Sequence, residues 1–339
     1  MEINVKKERL HYVDVSKGLL ALMVVLSHLQ NVAVSLDIEN TLCKSIDSLE
    51  VFWCPFFMPA FFILTGFCSN FNKEFKSFLI SNFKTLIIPS IFLAFIVRWI
   101  NGIADGVTTP QYYMFIGLGI IKTCGNWFLP ALFVSKIVYW FLNKYVKSIY
   151  IIAIITIVLF YLGYLLYTFV PSLPNLWSWK YGILFCVFIT VGQFMKKSGL
   201  SIKMLFIFSS CYILLFLFNY YYYGGRKILL SQAIDINGIE QIYIIPYAIW
   251  GSILVIALGK IIKANKILEW FGRNSLMLYI LHAPIIRLLM IWSKDFLVKN
   301  ELYLSFSLVI FYYAVVFLFV CLLSLLTSTK YGSYLMGKF

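Results

Sequence analysis

The chain alternates between long apolar runs and short polar breaks along its whole length. A helix needs about 20 mostly apolar residues to cross the hydrocarbon core of a bilayer, and about ten of the runs approach or exceed that length. The breaks between them are polar or carry Gly and Pro, which end helices. The predicted spans lie near residues 13–36, 52–71, 79–100, 125–143, 148–170, 180–196, 201–223, 241–263, 271–293 and 302–326.

This pattern predicts an all-α integral membrane protein with about ten transmembrane helices in one bundle. The first run follows a basic segment, as in a signal peptide, but no small-residue cleavage pattern comes after it. We therefore interpret it as an uncleaved first span. We see no internal repeat and no boundary of a second unit, so the expectation is one membrane domain over residues 1–339.

Composition supports the membrane class. Hydrophobic residues make up 62% of the chain and charged residues 12%, whereas a soluble domain carries about 25% charged residues. The net charge of +14 is typical of inner loops that face anionic lipid, and no basic patch is long enough to suggest nucleic acid. The seven cysteines form no CxxC pair and no Cys/His cluster, so we expect no metal.

The distribution of Lys and Arg predicts the orientation. If the N-terminus is inside, the inner segments carry about twice as many Lys and Arg residues as the outer ones, and every inner loop is basic. The first outer loop is acidic instead, with Asp37, Glu39, Asp47 and Glu50. We therefore expect a multi-pass protein of the cell membrane with both termini in the cytoplasm.

Asp14, Lys17 and His28 place ionisable groups in the first apolar run. Eleven helical residues at about 100° each return to within about 20° of the starting direction, so Lys17 and His28 share one face. Asp14 lies three residues before Lys17 and joins the same stripe. At about 1.5 Å per residue, His28 lies about 16 Å deeper than Lys17, near the midplane. An intramembrane histidine is a candidate for function; the alternative is a histidine hydrogen-bonded between helices for structure alone.

With Lys17 near the cytoplasmic face and His28 near the midplane, the helix suits a donor that enters from the cytoplasm with a charged head and a long thin arm. Coenzyme A has that shape. Its phosphates would contact Lys17, and its thioester would reach His28. His28 would then be a general base that deprotonates an acceptor hydroxyl, or a nucleophile that carries the acyl group. Snorkelling toward anionic lipid also explains Lys17, and Asp14 either orients Lys17 or caps the first helix.

The segment that begins at Lys17 and ends at His28, with ten residues between them, matches the pattern [RK]-x10-H. This segment resembles a motif of the membrane acyltransferase-3 family, whose members are O-acetyltransferases that modify surface glycans. The preceding YVDVSKG is similar to the family's LDxLRG opening. The other similar stretches follow in the family's order and extend the resemblance across almost the whole chain: MPAFFILTGF (58–67), FKTLIIP (83–89), NWFLPALF (126–133) and FGRNSLMLYILHAPI (271–285). The resemblance implies acetyl-CoA as donor, a hydroxyl of a surface carbohydrate or lipid-linked saccharide as acceptor, and His28 as the catalytic residue.

The remaining candidates come from these stretches. On the donor side they are Lys84, Arg273 and Ser275, for which lipid contact, positive-inside anchoring and a helix start are the plain alternatives. On the substrate side, His282 lies about 13 Å deeper than Arg273, with Tyr279 on the same face. Helix packing explains His282 equally well. Asn126 and Trp127 open the fourth span and would line an acceptor groove, unless Trp127 is an ordinary interfacial residue.

These residues favour an integral membrane O-acyltransferase, most simply an O-acetyltransferase. Two other functions fit parts of the pattern. A transporter or exporter of glycans or small solutes would use His28 and His282 as proton-relay or substrate sites, although such proteins often show repeats that are not visible here. A structural partner in a polysaccharide assembly complex would tolerate substitution of both Lys17 and His28.

Overall fold

The computed structural model of the protein describes residues 10–35, 41–107, 109–110, 117, 119–120, 124–199, 201–228, 230, 240–299 and 306–336. Over these residues the regular structure is helical, and no strand occurs. The predicted all-α membrane fold is confirmed. The helices, numbered in chain order, are α1 (His11–Ser35), α2 (Thr41–Trp53), α3 (Phe57–Cys68), α4 (Phe75–Asn82), α5 (Ile88–Ala104), α6 (Phe128–Tyr145), α7 (Ile149–Phe169), α8 (Trp179–Ser198), α9 (Ile202–Tyr222), α10 (Glu240–Ile262), α11 (Lys266–Arg273), α12 (Ser275–Lys299), α13 (Phe306–Ser328) and α14 (Lys330–Leu335).

The number of spans is slightly below the ten that the pattern predicted. Within the described residues, eight helices are long and apolar enough to cross a membrane, or nine if α2 and α3 together form one span. These two helices meet at an angle of 41°, and Pro55 lies in the turn between them, where it provides no backbone N–H. The predicted span 125–143 is present as α6, but α6 carries Lys136 and Lys144 and is not among the eight.

Helix α1 lies at the centre of one end of the bundle. It packs against α2, α3, α10, α11 and α12, and residues on all its faces are buried, as expected for an interior helix. We call the end of the bundle at which α1 begins, near His11, the Lys17 end. His28 lies about 16 Å from Lys17 along α1, as the helical rise requires.

Two glycines let α11 pack directly on the backbone of α1. A Cβ at Gly18 would overlap the carbonyl oxygen of Leu268, and a Cβ at Gly272 would overlap the carbonyl oxygen of Asp14. Each glycine therefore faces the other helix's main chain. This reciprocal contact fixes α11 over the beginning of α1.

Helix α11 is short and amphipathic, and its ends are defined by local hydrogen bonds. The Asn265 side chain accepts hydrogen bonds from the N–H groups of Ile267 and Leu268, which is the usual N-cap arrangement. On its apolar side, the rings of Trp270 and Phe271 pack against Phe317 of α13. The sequence pattern predicted one span from residue 271, but α11 ends at Arg273 and α12 begins separately at Ser275.

A π-helical turn, Phe83–Ile87, joins α4 to α5. The extra residue in such a turn shifts the side chains that follow it around the helix axis, and π turns often occur at functional sites. Pro89 lies in the first turn of α5, where its missing N–H costs no helical hydrogen bond. Lys84 and Leu86 both belong to the π turn.

Candidate functional site

The two histidines predicted inside the membrane lie against each other. The ring centroids of His28 on α1 and His282 on α12 are 4.5 Å apart, and the ring planes are nearly perpendicular at 87°. His282 is buried, with 1% of its surface exposed, and His28 is half-buried. The sequence indicated each histidine separately, and the packing of α1 on α12 makes them a pair.

Each ring is oriented by its own helix. The Nδ1 atom of His28 lies 3.0 Å from the carbonyl oxygen of Val24, and Nδ1 of His282 lies 2.7 Å from that of Leu278. A carbonyl oxygen only accepts, so Nδ1 carries the hydrogen in both residues. The neutral ring then has its lone pair on Nε2. Nε2 of His282 is buried and has no hydrogen-bond partner among the described residues. The pair therefore presents two imidazole nitrogens that can accept a proton.

A cavity of about 290 Å³ lies near the Lys17 end, between the beginning of α1 and residues of α3, α6, α11 and α12. We call it the Lys17 cavity. Its wall is mixed, with charged and hydroxyl groups together with apolar side chains from α3, α6 and α12. The polar lining residues are Asp14, Lys17, Thr65, Arg273 and Ser275, and the apolar ones are Phe61, Leu86, Phe128, Leu129, Leu132, Leu276 and the ring of Tyr279.

Tyr279 connects the cavity wall to the histidines. Its ring centroid lies 4.7 Å from that of Phe128, which also lines the Lys17 cavity. On its other side it lies 6.3 Å from the His282 ring. One aromatic ring therefore separates the cavity from the imidazole pair.

Arg273 is held at the cavity by two carboxylates. Its Nη2 atom donates to Oε2 of Glu269 at 2.7 Å, and its Nε atom lies 3.8 Å from Oδ2 of Asp14. Oε1 of Glu269 lies 2.9 Å from Nδ1 of His11. The hydrogen bonds from His11 and Arg273 hold the pKa of Glu269 below its usual value, against the opposing effect of burial. Glu269 is thus a buried anion that fixes the position of a cation beside Lys17.

The sequence model of a protein family described as "Acyltransferase domain" matches residues 10–328, which is nearly the whole chain. The chain belongs to the acyltransferase-3 family. No curated protein and no solved structure shows a significant match to the chain. The resemblance inferred from the five motifs is thereby confirmed.

Together with its apolar helices, the family identifies the protein as a multi-pass membrane acyltransferase. An acyltransferase requires an acyl donor and an acceptor. The family match therefore favours transfer chemistry over the transporter and the purely structural alternatives that the sequence left open.

Four of the predicted residues of this acyltransferase line the same cavity. Lys17, Arg273, Ser275 and Tyr279 come from three helices, α1, α11 and α12, yet all of them contribute to its wall. His282 follows directly beyond Tyr279.

Asn126 and Trp127 lie beside this cavity and have structural contacts. The Asn126 side chain donates to Ser90 Oγ at 2.7 Å and accepts from the Leu129 N–H at 3.0 Å, so it supports the first turn of α6. Trp127 packs against the rings of Tyr181 and Phe185. The segment reaches the Lys17 cavity through Phe128 and Leu129 instead.

Lys84 is half-buried in the π turn and does not belong to the described cavity wall. Leu86, two residues later in the same turn, does line it. Lys84, which was predicted to contact the donor, therefore lies near the cavity but not in its wall.

Glu269 and Phe128 were not predicted as site residues. A sequence signal for Glu269 exists, because Glu269 and Arg273 are four residues apart and such pairs meet on one helix face. Phe128 lies within the NWFLPALF stretch, but nothing in the one-dimensional pattern distinguishes it from its apolar neighbours.

Proposed function

We propose that this acyltransferase is an O-acetyltransferase that takes the acetyl group from acetyl-CoA and transfers it to a hydroxyl of a surface carbohydrate or a lipid-linked saccharide. One observation carries the proposal. The Lys17 cavity has Lys17 and Arg273 in its wall, ends at Tyr279, and is followed by the His282–His28 pair. Cations and proton-accepting nitrogens are therefore arranged in the order that a coenzyme A thioester requires.

The size of the cavity fits only part of the donor. A volume of about 290 Å³ suits the thin pantetheine arm, and the phosphate-bearing head would stay near the surface. Arg273, whose side chain is 47% exposed, is suitably placed for such a head. A guanidinium binds phosphate oxygens through two parallel hydrogen bonds, whereas Lys17 contributes a point charge.

The chemistry that we propose centres on Nε2 of His28. As the acceptor oxygen attacks the thioester carbonyl carbon, Nε2 takes the hydroxyl proton. Collapse of the tetrahedral intermediate breaks the carbon–sulfur bond, and the CoA thiolate takes up a proton as it leaves. His282, whose ring touches that of His28, would position His28 and contact the substrate.

A second sequence of steps uses the same lone pair. Nε2 of His28 attacks the thioester, CoA leaves, and the acetyl group is held on the imidazole until the acceptor hydroxyl displaces it. His282 would then be the base for the acceptor. Both sequences need Nε2 without a hydrogen, and the Nδ1 bond to Val24 provides that tautomer.

The far side of His28 is suited to a polyhydroxyl acceptor. The adjacent Ser27 accepts a hydrogen bond from Trp53 Nε1 at 2.9 Å. One turn further, Gln30 Nε2 donates to Asp47 Oδ1 at 2.9 Å. Lys227 joins Asp47 to Glu50 through two ion pairs. Amide and carboxylate groups of this kind bind sugar hydroxyls, which supports an acceptor that approaches from the outer side.

The test is transfer from labelled acetyl-CoA in proteoliposomes that contain surface glycan extract. We expect His28→Ala to lose transfer by about 10²–10⁴-fold, the range for a general acid–base group, while binding of CoA to the purified protein stays within about twofold of the original. The matched control is Ser209→Ala. That variant also removes a side-chain bond to the i−4 carbonyl of a membrane helix, but far from the Lys17 cavity.

Two results would overturn the proposal. Wild-type transfer by His28→Ala would remove the catalytic assignment, and glycan movement without CoA consumption would indicate a transporter. To separate the two mechanisms, the protein is incubated with acetyl-CoA alone and quenched. An acetyl adduct on the peptide that contains His28 identifies the carrier mechanism, and its absence under burst conditions favours the base.

A further inference from the structure

A second cavity, of about 210 Å³, lies at the Lys17 end of the bundle and shares no lining residue with the Lys17 cavity. We call it the Lys260 cavity. It is formed at the C-terminal ends of α3, α8 and α10 and the beginning of α1. Tyr12, Lys196, Gly199 and Lys260 supply the polar part of its wall.

The two lysines in this wall are fixed in position. Lys196 Nζ donates to the Ser69 carbonyl oxygen at 2.7 Å, and Lys260 Nζ lies 5.3 Å from the centroid of the Tyr12 ring. An ammonium group has three N–H donors and a full positive charge, and both properties suit a contact with an anion. Two cations at the rim of one cavity favour a phosphate.

An apolar groove of about 240 Å³ runs between α7, α8, α9 and α10. Side chains such as Ile157, Val191, Phe208 and Ile249 line it. Thr190 is also in the wall, but its hydroxyl donates to the Cys186 carbonyl oxygen. The groove is therefore suited to a hydrocarbon chain.

The groove and the Lys260 cavity are neighbours in the structure. Met195 lines both, and both lie between α8 and α10. Along α10, Ile249 in the groove is eleven residues from Lys260, which corresponds to about 16 Å of helical rise. That distance is about half of the 30 Å hydrocarbon core, so the two sites together match one leaflet of a bilayer.

We propose that the Lys260 cavity and the apolar groove form a binding site for one anionic phospholipid. Its phosphate lies between Lys196 and Lys260, and one acyl chain follows the groove past Met195. The charge of the site selects an anionic headgroup, and basic pockets between membrane helices bind lipid headgroups in this way. With the predicted orientation, the site faces the anionic cytoplasmic leaflet.

The experiment measures lipid binding by the delipidated full-length protein in detergent. Phosphatidylglycerol and phosphatidylcholine with the same acyl chains are added separately, and bound lipid is counted by native mass spectrometry alongside the thermal unfolding midpoint. We expect phosphatidylglycerol to bind more tightly and to raise the midpoint. Removing one charge near the membrane surface weakens such binding about fivefold, so K196Q and K260Q should each show about that loss.

The control variants distinguish the effect of the lysine charges from that of the apolar groove and from general effects on the fold. Lys197→Gln removes a neighbouring exposed lysine outside the cavity wall and should leave binding unchanged. Ala153→Phe fills the groove without changing the charge of the site and should weaken the binding of both lipids. Free glycerol phosphate, at a concentration equal to that of the phospholipid, should not compete with the phospholipid for binding. Equal binding of the two lipids, an equal loss in Lys197→Gln, or full binding by Ala153→Phe would overturn the proposal.

Discussion

His28 and His282 differ from most buried histidines in what their hydrogen bonds leave available. Each uses Nδ1 for the carbonyl four residues earlier on its own helix, so neither ring joins its helix to another by that bond. A histidine retained only for packing between helices would be expected to bond across the interface. The two rings instead meet where α1 and α12 touch, and Nε2 of His282 has no partner among the described residues, which supports a chemical role.

Arg273 leads to a prediction at the same scale. In Arg273→Gln we expect the KM for acetyl-CoA to rise about tenfold or more while kcat changes little, because a bond to a phosphate of the donor head is made equally in the ground and transition states. The KM of Arg273→Lys should lie between that of the unchanged protein and that of Arg273→Gln, since lysine keeps the charge but loses the bidentate geometry. Initial rates over a range of acetyl-CoA concentrations measure both constants.

The control for Arg273 is Arg287→Gln, which removes an arginine in the middle of α12 that forms an ion pair with Asp105. It should leave the KM for acetyl-CoA unchanged. A fall in kcat with an unaltered KM in Arg273→Gln would show that Arg273 does not bind the donor.

The contact between α1 and α11 carries the prediction at the scale of elements. We expect Gly18→Ala and Gly272→Ala to destabilise the protein by about 1–3 kcal/mol, the usual cost of overpacking, because the added methyl would meet a backbone carbonyl that cannot rotate away. The gain in helix propensity, about 1 kcal/mol, only partly offsets this. The thermal unfolding midpoint in detergent measures the change.

Gly119→Ala is the matched control, because no heavy atom lies within 4 Å of a Cβ built there. It should leave the midpoint unchanged or raise it. Equal midpoints for Gly18→Ala and Gly119→Ala would mean that the two helices are not in direct backbone contact.

The sequence predicts elements better than it predicts what they bring together. Hydropathy located the long apolar helices but not the short helices α2, α11 and α14, and helical spacing placed Lys17 and His28 on one face. Hydropathy did not separate α11 from α12, because their apolar residues follow each other as one run in the sequence. The pattern also gave no indication of the N-cap at Asn265. It also could not place Glu269 beside His11, since those residues are 258 positions apart and only the tertiary packing joins them.

Asn126 and Lys84 show the same limit. Both carry polar groups in stretches that resemble family motifs, so composition alone favours them as site residues. Asn126 supports the first turn of α6 and Lys84 is not in the cavity wall, whereas apolar neighbours such as Phe128 and Leu86 line the Lys17 cavity. Which residue of a motif faces a cavity depends on helix rotation, which neighbouring helices decide.

Among the described residues, most of the cations that are buried or line a cavity lie at the Lys17 end of the bundle. Lys17 and Arg273 line one cavity there, and Lys196 and Lys260 line the other. Under the positive-inside rule, this end is predicted to be cytoplasmic. Single cysteines placed at Lys144 and at Asp105, in a variant without native cysteines, should react differently with a membrane-impermeant maleimide in intact cells.

We expect the cysteine at position 105 to be labelled from outside and the cysteine at position 144 only after the membrane is permeabilised. The reverse pattern would place the Lys17 cavity on the outer side, where acetyl-CoA is not available. Activity of the variant without native cysteines, measured first, ensures that the labelled protein is correctly folded.

The parallel course of α1 and α12 has a consequence for which donors the protein can use. Lys17 on α1 lies eleven residues before His28, and Arg273 at the end of α11 lies nine residues before His282 on α12, which correspond to about 16 and 13 Å of helical rise. In the proposed reaction, these spacings would set the distance between the donor's bound phosphates and its reacting carbon. For the proposed coenzyme A donor, we therefore expect selection for the length of the arm, so that a shortened analogue would be a poor donor even if it carried the acetyl group.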